Sequence, residues 1–148
     1  MADSDLQAVA EQAGFFAAHA IWCVSDGGPL IPFLAFDLPD GRREMVRLVA
    51  ETLESGVEEG RRRLAMNPDG ATRAVLVLDG FLRLALGKRD ALILEAEQYR
   101  PTRMGFRLAV PYRASDSPEG SASFLRSFLI PKSSTPRLRR SNEPSSEA

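Results

Sequence analysis

Three groups of residues carry side chains with the capacity for chemistry. The first is acidic: Asp90, Glu95 and Glu97 follow one another closely. Carboxylates on adjacent strands suit a hard cation such as Mg²⁺ and can template phosphoryl chemistry. In the pattern Asp-x(n)-Glu-x-Lys, the lysine polarises the attacking water. Here Glu97 stands where that lysine belongs, which removes the positive charge the chemistry uses. The competing reading is that these are strand-end charges that resist edge-to-edge aggregation.

The second group is His19 and Cys23, the single histidine and the single cysteine, four positions apart. On a continuous helix they share a face. A Cys–His nucleophile pair needs a third, orienting group, and two ligands fall short of a closed zinc site. The sequence displays no third group, so a buried thiol beside a structural imidazole is the expectation. No Gly-x-Ser-x-Gly, P-loop or Cys-x-x-Cys motif occurs, and Gly27-Gly28 lacks the rest of a dinucleotide fingerprint. No metal or cofactor is expected.

The third group is basic. Arg100, Arg103 and Arg107, with Arg113, are interleaved with Tyr99, Phe106 and Tyr112. Such pairings bind single-stranded nucleic acid when they form one surface. A net charge of −1 supplies no general attraction to a polyanion, so nucleic acid is not the expected partner.

The elements that position these residues centre on Thr72–Val110. Ala74–Leu78, Phe81–Leu86, Ala91–Ala96 and Met104–Val110 are strand-length apolar runs bounded by turn residues. Asp79-Gly80 is a hairpin signal, and Gly87-Lys88 a second one. With both turns in place, Val75, Val77, Leu82, Leu84, Ala91 and Ile93 share a face. Leu76, Leu78, Phe81, Leu92 and Leu94 share the other. The last run alternates strictly: Met104, Phe106, Leu108 and Val110 on one side, Arg103, Gly105, Arg107 and Ala109 on the other. A sheet apolar on both faces needs a cover on each.

Ahead of the meander, Ser4-Asp5-Leu6-Gln7 fits a capping box, so a first helix starts near Asp5. Gly14 weakens it by roughly 1 kcal/mol relative to Ala unless packing needs the space. Ile21–Val24 favours a strand, and Leu30–Asp37 reads as its return partner. Met45, Leu48, Val49, Thr52, Leu53, Gly56, Val57 and Leu64 form the apolar stripe of a second helix, which Asn67-Pro68-Asp69-Gly70 ends. Leu53 and Leu76 both fall on stripes assigned to the core. Gly56 and Gly60 on the packing side permit close approach to the sheet.

The 148 residues, 44% hydrophobic and 26% charged, are enough for one soluble domain with a real core. That domain spans 1–114. A Ser/Pro-rich segment, 115–131, carries an apolar island at 124–130 that docks as a strap. The tail, 132–148, has few core-forming residues, Leu138 apart, and reads as disordered. The acidic N-terminus does not resemble a signal peptide, and no apolar run reaches the roughly 20 residues of a membrane span. A cytoplasmic location is the expectation. The fold class is α+β: an antiparallel sheet of about five or six strands with helices packed on it, order α-β-β-α-β-β-β-(β). That order resembles profilin-like and roadblock-like sandwiches in sequence of elements alone. By function, the chain reads as a small non-catalytic domain that binds protein, a partner or a second copy as a homodimer. The alternative is a metal-dependent hydrolase or nuclease using Asp90, Glu95 and Glu97, and the third reading is an arginine-mediated nucleic-acid binder.

Overall fold

A computed structural model describes residues 3–25, 29–85, 87–113, 123–124, 128–130 and 137–138. Helix α1 spans Asp3–Cys23, strands β1 Phe33–Asp37 and β2 Arg43–Arg47, and helix α2 Leu53–Met66. Strands β3 (Arg73–Leu84), β4 (Gly87–Gln98) and β5 (Met104–Arg113) follow. The short strands β6 (Ser123–Phe124), β7 (Phe128–Ile130) and β8 (Arg137–Leu138) complete the sheet. The order α-β-β-α-β-β-β is the one the sequence predicts. The sheet runs β2-β1-β3-β4-β5-β6, with β7 also on β5 and β8 on β3. All its pairings are antiparallel.

The expected strand Leu30–Asp37 contains β1, but its partner is not where the sequence places it. Ile21–Cys23 completes α1, which begins at Asp3, ahead of the expected Ser4 cap. The strand pair is instead β1 with β2. Residues 45–53 satisfy helical spacing, but Arg43–Arg47 also alternates, and the turn decides. Gly41 takes a φ of 90°, and Leu38 N–H donates to Arg42 O at 2.8 Å, folding the chain straight back onto β1. The second helix starts later, at Thr52, whose Oγ1 accepts from Ser55 N–H at 3.0 Å. Met45 and Val49 consequently leave the helical stripe and lie exposed. Leu53, the first residue of α2, is half-buried and belongs to neither core. Asn67, in the left-handed region at φ 47°, ends α2, and its side-chain amide both donates to and accepts from the Ala71 backbone.

Asp79-Gly80 is not a turn. β3 runs through it, and its register with β4 extends from Arg73↔Gln98 to Leu84↔Gly87. The reversal falls between Leu84 and Gly87, where Gly87 takes a φ of 118°. Removing the expected turn changes the parity of pairing. Leu92 and Leu94 share a face with Val75 and Val77, and Ile93 faces the same way as Leu76.

Each face has its own cover. Val9, Ala13, Phe16 and Ala20 of α1 pack on Val75, Val77, Leu92 and Leu94. Val57 and Leu64 of α2 join Leu34, Leu76, Ile93 and Ala109 on the other side. Leu76, Val77, Ile93 and Leu94 are fully buried. The two-sided apolar character of the meander is therefore met within one chain. The 115–131 segment and the 132–148 tail lie mostly outside the described residues. Within them, Phe128–Ile130 pairs with Arg107–Ala109, and Arg137–Leu138 pairs with Gly80 and Phe81.

Two glycines provide opposite tests of this packing. A Cβ on Gly56 would lie 2.5 Å from the Leu48 carbonyl oxygen, a backbone atom with little room to yield. A Cβ on Gly14 would meet nothing within 4 Å. Gly56→Ala should cost about 1–3 kcal/mol, its clash outweighing the gain in helix propensity. Gly14→Ala should stabilise by about 0.5–1 kcal/mol. Urea denaturation of the two variants checks both signs.

Candidate functional site

The acidic residues do not converge. Side chains alternate along β4, so Asp90 points to the α1 face while Glu95 and Glu97 point to the α2 face. Asp90 is 1% exposed. Glu95 is buried and held by Arg61 of α2, whose Nη2 donates at 2.8 Å and Nε at 3.1 Å. Arg107 lies directly across the strand pair from it. Glu95 thus fastens α2 to the sheet. Among the described residues, no group of three or more His, Cys, Asp or Glu side chains is arranged to hold a metal. A further buried acid escaped the sequence reading. Asp79, in the supposed turn, accepts from the Tyr112 hydroxyl at 2.9 Å.

The arginines and aromatics also separate. Arg107 faces the α2 side of β5 and Arg103 immediately precedes that strand, whereas Phe106 and Tyr112 pack into the α1-side core. Arg103 lies 5.2 Å over the Tyr99 ring. Burial, with help from the Glu97 charge, pushes the Tyr99 phenol up to about 12, and its hydroxyl donates to the Leu64 carbonyl. Arg100 is exposed at the end of β4. No shared basic aromatic platform results from these positions.

The structure instead gathers functional side chains where α1 overhangs the β2 edge. Register places Arg43, Met45 and Arg47 opposite Asp37, Ala35 and Phe33, on the α1 side of the sheet. Arg43 is the node. Its Nε and Nη2 donate to Asp37 at 2.7 and 3.0 Å, and its Nη2 also donates to Glu11 of α1 at 2.9 Å. Its guanidinium lies 5.3 Å from the Phe15 ring centre and 5.7 Å from that of Phe16. Arg73 of β3 adds a contact to Asp37 at 3.3 Å. One ion-pair network thereby ties α1, β1, β2 and β3.

Beside this node opens a cleft of about 430 Å³. His19, Trp22 and Cys23 form one wall, Met45 and Arg47 the other, and Phe33 lies at its base. Cys23 Sγ is 3.6 Å from His19 Nε2, as helical spacing predicts once α1 continues to Cys23. Trp22 is 73% exposed and Met45 41%, so the rim is apolar and open to solvent. Arg47 makes no ion pair among the described residues. A second hollow, about 460 Å³ beneath the β1–β2 turn, is lined by Asp40, Arg42 and Glu44. Those charges already satisfy one another, at 2.7 and 3.2 Å.

The outer edge of β2 completes the site. Leu48 N–H donates to Pro32 O, and Leu38 N–H to Arg42 O, both at 2.8 Å. Antiparallel alternation then turns the backbone groups of Arg43, Met45 and Arg47 away from β1. No strand pairs with that edge among the described residues. The sequence reading missed it because residues 45–49 were assigned to a helix. The alternation of Arg43, Met45 and Arg47 was the available signal. Comparison of the chain with known protein families, curated proteins and solved structures finds no match.

The network sets an acid dependence. Burial by itself raises the Asp37 carboxyl, but the hydrogen bonds and charges of Arg43 and Arg73 outweigh it and hold the group below its ordinary range. A lowered folded pKa contributes stability above the unfolded value, about 3.9, and that stability is lost as pH falls through the folded value. Asp37→Asn should therefore destabilise at pH 7, by about 1–3 kcal/mol for a charge-assisted pair. It should also flatten the loss of stability below about pH 4. Urea unfolding of both proteins at pH 7 and pH 3 checks this.

Proposed function

We propose that the protein is a small non-catalytic interaction domain that takes an extended segment of another protein along β2. The observation that carries this is the coincidence of an open strand edge with an exposed aromatic rim. The outward N–H and C=O groups of Arg43, Met45 and Arg47 offer a ladder, and the Trp22–Met45 cleft beside them offers a side-chain pocket. Strand addition draws affinity from main-chain hydrogen bonds and specificity from such pockets. Exposed Phe15 and Val49 extend the apolar rim. Arg47 favours a carboxylate on the incoming strand.

A second copy fits this edge poorly. Self-pairing centred on Met45 sets Arg43 against Arg47 twice on one face, and like charges directly opposite are destabilising. The covered sheet faces also remove the reason for a face-to-face dimer. The reading therefore favours a different protein over self-association.

Selection of random linear peptides on the full chain tests the proposal. Selected peptides should protect the Arg43, Met45 and Arg47 amides from hydrogen exchange. Binding should fall at least about tenfold in Trp22→Ala, as for a central aromatic anchor. Met45→Pro should block it while leaving the fold intact, because the N–H it removes points outward. Peptides that bind without protecting β2, or a selection that yields no binder, would refute the reading.

A further inference from the structure

We propose that Cys23, His19 and Met45 form a binding site for a soft monovalent metal ion, Cu(I). The inference shares the cleft with strand docking but rests on the donor atoms inside it and not on the β2 backbone. Its first support is distance. A metal about 2.3 Å from sulfur and about 2.0 Å from an imidazole nitrogen sets those atoms about 3.5–3.7 Å apart, from tetrahedral to trigonal angles. Cys23 Sγ and His19 Nε2 are 3.6 Å apart before any metal enters. The helix enforces this, because residues four apart lie one above the other on its surface.

The second support is the ligand set. Thiolate and thioether are soft donors that select Cu(I), and imidazole accepts it. Met45 of β2 lines the same cleft as the thiol–imidazole pair. Three donors from two elements thus line one cavity, where sequence spacing revealed two. Register explains the arrival of Met45: it sits opposite Ala35, on the α1 side of the sheet.

Charge decides which ion. The thiol gives up its proton to water on binding, so a Cu(I)–thiolate centre is net neutral. A neutral centre suits the apolar base around Phe33 and tolerates Arg47 in the opposite wall. Zn²⁺ with one thiolate would remain cationic beside Arg47 and would lack the further thiolate, imidazole or carboxylate ligands of its usual four-coordinate site.

The test is an anaerobic titration of the reduced full-length protein against Cu(I) held by a coloured chelator. The protein should withdraw a single Cu(I) per chain. Emission from Trp22, the one tryptophan, should fall with the same midpoint, since its ring centre is 6.3 Å from that of His19. Cys23→Ser should abolish both signals. His19→Gln and Met45→Leu should each weaken binding at least about tenfold, as loss of a ligand demands. Met66→Leu, a methionine on α2 outside the cleft, should change nothing. Melting of the metal-free variants establishes that they fold. Failure to withdraw Cu(I) would overturn the proposal. So would wild-type affinity in either His19→Gln or Met45→Leu, because binding would then be that of a bare thiol. Equally tight retention of Zn²⁺ would overturn the assignment to a soft monovalent ion. Because Met45→Leu retains the β2 backbone, loss of metal in that variant leaves peptide addition along the edge separately measurable.

Discussion

The pairing of β3 with β4 is the constraint on which the rest of the structure depends. Twelve residues of each strand pair in one unbroken register, and their central residues are apolar and buried on both faces. A strand pair of this kind is unstable in water until both faces are covered. Helix α1 supplies one cover and α2 the other. Burying a Leu or Ile side chain is worth about 1.5–3 kcal/mol, so Leu76, Ile93, Leu92 and Leu94 together outweigh any single polar contact in the fold. Two of the carboxylates that enter the interior tie elements together: Glu95 anchors α2 through Arg61, and Asp79 takes the Tyr112 hydroxyl.

This constraint is why the proposed function sits at the margin of the sheet. With both faces covered by helices, the open backbone edge among the described residues lies along β2, beside the cleft under α1. Arg43 ties that margin together. By holding Asp37 and Glu11 at once, it fixes β2 against β1 and the helix against both. The ion-pair network thus lies beside the cleft, whose lining also includes Pro29, Leu30 and Ile31 of the α1–β1 connection. The same arrangement shapes the two proposals. The β2 backbone is presented outward for a strand, and the side chains beneath α1 are presented inward for a small ligand.

Much of the fold was legible in the sequence. Alternation from Met104 to Val110 gave the correct faces of β5, and Asn67-Pro68-Asp69-Gly70 marked the end of α2. The close-approach role of Gly56 and Gly60 was also legible: a Cβ on Gly60 would lie 2.5 Å from Leu76 Cδ1. The misses have physical causes. Asp79-Gly80 satisfies the local preference for a turn, but tertiary pairing with β4 and the Tyr112 hydrogen bond carry the strand through it. Residues 45–53 satisfy two periods at once, and the tight return at Gly41 selects the strand. The site was half legible. His19 and Cys23 stood out by type and spacing, whereas Met45 and Arg47 became their neighbours through β1–β2 register, which no local pattern of either helix displays.

The central claim is that one chain closes its own sheet and leaves β2 open to a different protein. Sedimentation equilibrium of the reduced protein across micromolar concentrations tests it most directly. The account predicts a single species of 16.2 kDa throughout. A stable species of twice that mass would contradict it, because a second copy would then occupy the sheet margin reserved here for a partner.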